Sequence, residues 1–278
     1  MRKQLLFDSH NHTTNSHDGK STADALCLSA IERGLSGIAF TDHCDIEYYK
    51  DIKSFDNIVN SVKEARNMNE KLQGELSVFA GVEMGEGIWN REAADALGKL
   101  CDFDVVLSSV HAVRCDKFDM PFSRIDFSEW TDQMITEYMR QYFVDMQEMV
   151  DTLDFDILTH LTVPLDYIKG RYGKACELEP HTSAIEGILK SIIRRDVSLE
   201  INTATLSSAL NDTLPNTSIV KMYRDLGGKY ITLASDSHTP ERVGRHLDRV
   251  LDMIKELGYN SYCYYQGRER KNVEILEK

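Results

Sequence analysis

The chain has 278 residues, 42% hydrophobic and 28% charged, proportions ordinary for a globular enzyme with a sizeable buried core. With 45 acidic against 32 basic residues the formal charge is −13, which argues against a broad nucleic-acid footprint and leaves room for a small phosphorylated substrate where local positive charge or metal holds the phosphate. Cys27, Cys44, Cys101, Cys115, Cys176 and Cys263 are scattered without a CxxC pair, and the N-terminus has a basic start but only a short apolar run, so a reduced, cytoplasmic protein without export signal or membrane span is expected.

Along the chain one unit recurs: a short apolar run, a loop, then helical periodicity. The runs, expected as buried parallel strands, are residues 4–8, 37–41, 77–82, 104–110, 156–159, 197–201 and 230–234. Between the first two, Ser21-Thr22-Ala23-Asp24 reads as a capping box, and Gly34 lies where its helix would stop. Phe55, Ile58, Val59, Val62, Ala65 and Leu72 trace one helical face. Trp130, Met134, Ile135, Tyr138, Tyr142, Phe143, Met146, Met149 and Val150 trace another, a core stripe and not a cofactor box. Helices are also expected over 185–193 and over 216–226, the latter stopped by Gly227-Gly228. The last should open with Thr239 as N-cap and Pro240 at the first position, bury Val243, Leu247, Val250, Leu251 and Ile254, and end at Gly258. Tyr259–Lys278 offers one further strand. Seven strand–helix units without a Pro/Gly/Ser-rich linker predict one α/β domain over residues 1–278, a closed or nearly closed β/α barrel in preference to an open doubly wound sheet.

Seven of the nine histidines fall just after an apolar run: His10, His12, His17, His43, His111, His160 and His238, with Glu83 and Asp236 at the same kind of position. In a parallel barrel the C-terminal strand ends converge on one mouth, so residues far apart in sequence meet there. His10-x-His12 and Asp236-x-His238 each place two ligands on one face, because the strand period is two. A lone histidine after a strand is ordinarily a core or surface residue; nine candidates at matched strand ends are not. They exceed the needs of one ion and suit two or three, and imidazole plus carboxylate without thiolate suits zinc, manganese or iron. Glu83 is the candidate bridge between ions. Gly19-Lys20-Ser21-Thr22 resembles the end of a P-loop, but Thr14 occupies the position of the first glycine, so it is read as a helix entrance.

These residues resemble the PHP (polymerase and histidinol phosphatase) superfamily. Its four motifs are matched by His10-Asn11-His12 with His17-Asp18-Gly19, by Thr41-Asp42-His43 with Glu83, by Ser109-Val110-His111, and by Ser235-Asp236-Ser237-His238, with His160 as a further histidine. The resemblance implies a distorted seven-stranded (β/α)7 barrel and a trinuclear site. His10, His12, Glu83 and Asp236 would hold one ion, Glu83, His111 and His160 the second, and His17, His43 and His238 the third. Within the superfamily, the chain length and the stretch from Leu199 to Ala204 look most like bacterial histidinol-phosphate phosphatases, implying hydrolysis of L-histidinol phosphate in histidine biosynthesis. The stretches 114–129 and 171–181 depart from that pattern where substrate loops would lie.

The expected mechanism is in-line attack on phosphorus by a metal-bridging hydroxide held by Glu83 and Asp236. Arg114 and Arg171 are candidate phosphate clamps. The alternatives are a phosphatase or phosphodiesterase of the same superfamily acting on nucleoside bisphosphates or short oligonucleotides, and a non-catalytic metal-binding module.

Overall fold

The computed structural model describes residues 3–46, 54–115 and 120–277; the first two residues of the basic start, and 116–119 of the departing stretch, lie outside it. The strands are β1 (Phe7–Asp8), β2 (Gly37–Phe40), β3 (His43–Asp45), β4 (Ser77–Gly85), β5 (Val105–Ser109), β6 (Ile157–Leu158), β7 (Ser198–Asn202), β8 (Ile231–Ala234), β9 (Ser261–Gln266) and β10 (Glu269–Glu274). The helices are α1 (Ala23–Glu32), α2 (Ser54–Lys71), α3 (Arg91–Leu97), α4 (Asp132–Thr152), α5 (Thr182–Arg194), α6 (Thr217–Asp225) and α7 (Leu247–Glu256).

The wall runs β1-β2-β4-β5-β6-β7-β8, every pair parallel, and β3 continues the course of β2 alongside β4. No full ladder joins β8 to β1. The seam is held instead by Ser9 N–H donating to Leu233 O (2.9 Å), His12 N–H donating to Ser237 O (2.8 Å), and a parallel bridge between Asn11 and Ser237. The result is a nearly closed seven-stranded barrel, as the strand–helix rhythm predicts; strands adjacent in sequence are adjacent in space, which a doubly wound sheet would not give.

The segment after α7 is a hairpin, not the single strand expected. Its two-residue loop, Gly267-Arg268, has φ of +60° at both positions, the backbone of a type I′ turn. The hairpin closes the barrel's N-terminal end. Gly267 N–H donates to Asp104 Oδ1 (2.9 Å), and Tyr265 hydroxyl to Asp156 O (3.2 Å). Phe7 and Tyr264 stack with ring centroids 3.9 Å apart. With that end plugged, the C-terminal end is the open one.

Three helix expectations change. The cap of α1 is Thr22, whose hydroxyl accepts from Ala25 N–H, so the motif begins one residue later than Ser21. Thr239-Pro240 opens only a 3₁₀ turn over Pro240–Arg242; positive φ at Gly244 and His246 breaks the chain there, and α7 starts at Leu247, although all five expected apolar residues are buried. Val59 and Met134 stand exposed (43% and 40%), each at the rim of its helix's apolar face.

Tyr262 is 1% exposed, accepts from Phe7 N–H and donates to Leu5 O. Tyr262→Phe should cost about 1–2 kcal/mol and Tyr262→Ala about 3–5 kcal/mol in urea unfolding. A Tyr262→Phe protein as stable as the parent would show that the hydroxyl contributes nothing.

Candidate metal centre

β4 decides where the centre lies. Its nine residues alternate, so Gly81, Glu83 and Gly85 face one side of the sheet. Gly85 is a close-approach glycine: a Cβ there would lie 2.3 Å from Asp45 Oδ1. Glu83 is fully buried, and both of its oxygens are surrounded by imidazole. Oε2 lies 3.1 Å from His10 Nε2, 3.5 Å from His12 Nε2 and 3.0 Å from His43 Nδ1. Oε1 lies 3.2 Å from His111 Nε2 and 3.0 Å from His160 Nε2. Asp236 Oδ1 approaches His12 Nε2 at 3.3 Å and His10 Nε2 at 3.8 Å. The five histidines and Asp236 come from five strand ends of the wall (β1, β2/β3, β5, β6 and β8), and Glu83 of β4 is common to both halves.

Outer partners aim these rings. His10 Nδ1 lies 2.9 Å from Glu200 Oε2, His12 Nδ1 3.1 Å from Ser16 Oγ, and His111 Nδ1 3.2 Å from Asp45 Oδ1. His238 Nδ1 lies 3.1 Å from its own loop's Asp236 O. In all four the Nδ1 side is occupied, and Nε2 is left for the centre or its rim, the arrangement that fixes metal-ligating imidazole. Glu200 also accepts from His160 N–H (3.1 Å) and Asn202 Nδ2 (2.9 Å), tying two ligand-bearing strand ends together. A further layer is carboxylate again. Asp42 accepts from Thr13 N–H (2.6 Å), Ser16 Oγ (2.8 Å) and Ser61 Oγ (2.5 Å); Asp8 accepts from Ser235 N–H (2.9 Å) and Gly244 N–H (2.8 Å).

The electrostatics are divided. Burial would raise Glu83, but His43, His10 and His111 hold it well below the usual carboxylate range. Burial, with His43 and His238 alongside, pushes His12 down to about 3, while His43, despite its own burial, is raised to about 9 by Glu83. Adjacent imidazoles cannot all carry protons, and the neutral ring is the metal-binding form. Among the described residues His12 Nε2 and His43 Nδ1 are buried without a hydrogen-bond partner, and both face carboxylate oxygens. Groups such as His10–Glu83–His160, His10–His12–Asp236 and His43–Glu83–His111 present donor atoms within 4.8 Å of one another, so the residues present fit divalent cations.

Not every expected residue joins the centre. His17 is exposed; its ring lies 5.2 Å from that of His43, and the three-histidine group at this edge is His12, His43 and His238. Asp18 stands there too, 3.1 Å from His238 Nε2. Arg114 does not face the mouth: its guanidinium is held by Asp145 and Glu148 of α4, which removes it as a phosphate clamp. Arg171 does line the mouth, stacked 3.8 Å over the Tyr167 ring. Sequence reading missed Glu200, Asp45, Asp42 and Asp8. A glutamate inside the apolar run Leu199-Glu200-Ile201 was the available sign for the first.

A parallel β/α barrel with imidazoles and carboxylates massed at its open end defines the metal-site hydrolase class of barrels. A family model described as the PHP domain matches residues 8–204, and the chain belongs to that family. It is 27% identical over 271 residues (97% of this chain, all of the other) to a protein of Thermotoga maritima named "Probable histidinol-phosphatase". It is 24% identical to the histidinol-phosphatase of Lactococcus lactis, covering 98% and 99% of the two chains. The crystal structure of a Lactococcus lactis histidinol phosphate phosphatase complexed with zinc, L-histidinol and phosphate superposes with a TM-score of 0.76 at 21% identity, over 97% of this chain and 99% of that one.

Glu200→Gln preserves shape but removes the charge that orients His10. It should weaken zinc binding by roughly 10–100-fold in a chelator competition, with the circular dichroism spectrum unchanged. Unaltered zinc affinity would mean that His10 needs no such partner.

Proposed function

We propose that the chain is a metal-dependent phosphomonoesterase that cleaves L-histidinol phosphate to L-histidinol and inorganic phosphate in histidine biosynthesis, acting as one domain over residues 1–278. The observation that carries the chemistry is the Glu83 carboxylate, buried and faced by imidazole nitrogens on both oxygens. Support for the substrate comes from the relatives' names across nearly their full lengths.

His10, His12, Asp236 and Glu83 Oε2 would hold one ion, and Glu83 Oε1, His111 and His160 a second. His43 and His238 would hold a third, with His17 at the rim; zinc, manganese and iron all suit the donors. When bound, such ions lower the pKa of water to around 7 and neutralise charge on phosphoryl oxygens. The chain's own residues do the rest. His10, His12 and Glu83 are sealed from solvent, which keeps the local dielectric low and the donors fixed. A cavity of ≈ 320 Å³ opens over His43, His111, His160 and His238, walled by Phe122 and Tyr167, whose rings lie 4.7 Å apart. Asp18, Asp45 and Asp236 line it with Arg124 as the one arginine, so its wall combines apolar faces with an excess of carboxylates and matches a leaving group that bears an imidazole and an amine. Among the described residues no helix is long and apolar enough to cross a membrane, and we place the activity in the cytoplasm.

A panel of phosphate esters tests the substrate. Zinc- or manganese-loaded protein should turn over L-histidinol phosphate with kcat/KM at least about a hundredfold above nucleoside bisphosphates, a discrimination of some 2.7 kcal/mol; equal nucleotide turnover would remove histidinol phosphate from first place. Two metal tests are independent of substrate. Chelation should lower the thermal midpoint of the loaded protein. His10→Ala should lose bound metal and, with it, more than about a hundredfold in kcat; a folded, metal-free His10→Ala protein with full activity would refute the site.

A further inference from the structure

Beside the metal centre lies a second cavity, of ≈ 410 Å³, sharing Val163, Tyr167, Asp236 and His238 with the first. Its electrostatics are opposite. Arg171, Arg242 and Arg245 line it, against Asp166 as the one carboxylate beyond Asp236. Asp166 is already engaged, by Ser208 Oγ at 3.0 Å and Arg171 at 3.5 Å. Arg242 and Arg245 are exposed, and among the described residues no carboxylate pairs with either guanidinium. Arg114, Arg140, Arg194, Arg224 and Arg270 each have an acidic partner; of the described arginines without one, Arg242 and Arg245 are the two that stand together at this cavity.

Their backbone, by contrast, is firmly held. Ser29 Oγ donates to Pro240 O (2.5 Å) and Arg33 Nη2 to Glu241 O (2.7 Å), Val243 is fully buried, Gly244 N–H donates to Asp8 Oδ2 (2.8 Å), and Thr203 Oγ1 donates to Arg245 O (2.7 Å). The same Asp8 carboxylate fixes Ser235, next to Asp236. The turn that presents the arginines is thereby pinned to the strand end that presents a metal-ligand candidate. Free heads on an anchored backbone are what a planar, bidentate anion receptor requires.

We propose that Arg242 and Arg245 form a phosphate-binding subsite adjoining the metal centre, with Arg171 on its far wall. This deepens, and rests on, the phosphatase reading. The dianion it takes is either the substrate's scissile phosphoryl group, released as product, or a second phosphate on a bisphosphate substrate.

The test uses metal-loaded protein and the variants Arg242→Ala and Arg245→Ala, with Arg194→Ala as a control for charge alone. Inorganic phosphate is titrated calorimetrically and as a competitive inhibitor, and a nucleoside 3′,5′-bisphosphate is run in parallel. Each subsite variant should weaken phosphate binding roughly 10–100-fold with metal content unchanged, while Arg194→Ala stays at the parent value. Weakening of inorganic phosphate assigns the subsite to the scissile group; weakening confined to the bisphosphate assigns it to a second phosphate. Parental affinity for both ligands in both variants overturns the proposal. Calorimetric binding needs no turnover, so a protein that hydrolyses no ester yet loses phosphate affinity on substitution would defeat the phosphatase reading and leave the subsite standing.

Discussion

A carboxylate sealed from water keeps its charge only if the surrounding groups compensate it, and Glu83 is that carboxylate. Its burial would be prohibitive beside apolar neighbours. Here five imidazoles face it, and they in turn cannot all be protonated at such mutual distances. A neutral imidazole is the metal-binding form, and the donor set is one that divalent transition metals accept. Position on β4, the longest strand of the wall, gives this arrangement its rigidity.

Around that point the structure is layered. Imidazoles form the inner ring, and Glu200, Asp45 and Ser16 turn them. Asp42 and Asp8 then gather the loops on which those residues ride, through hydroxyls and backbone amides. Each outer carboxylate joins segments from different strands, so the loops after β1, β2 and β8 are fixed to one another and not merely to their own helices. The strand ends are tied together by bonds that also satisfy buried polar groups, which is how a site built from loops acquires the precision of one built on strands. The same Asp8 links the metal centre to the arginine-bearing turn, so the two cavities share one support.

The polarity of the barrel follows from its other end. The β9–β10 hairpin covers the strand starts with Tyr262, Tyr264 and Tyr265, burying apolar rings while the hydroxyls of Tyr262 and Tyr265 satisfy backbone groups at the barrel's bottom. Chemistry is left to the opposite face, where the parallel strands deliver their C-terminal residues.

The ligand candidates, strand order and barrel were legible in the sequence because each depends on local pattern: apolar runs of strand length, and histidines or acids at the residue where each run stops. Period two placed His10 with His12 and Asp236 with His238 without reference to the rest of the chain. What turned on long-range contact was not legible. Arg114 and Arg171 look alike as loop arginines, and only the approach of α4 consumed one while Tyr167 presented the other. Glu200, Asp42 and Asp8 acquire their roles through bonds to residues tens to hundreds of positions away, and Thr239-Pro240 opens a turn in place of a helix because Gly244 is drawn to Asp8. The sequence by itself determined which residue types stand at the strand ends, since that is periodicity. Which rings share an oxygen, which charges are already paired and which stay free for a ligand were decided only when the wall closed, because those are properties of distance in space and not along the chain.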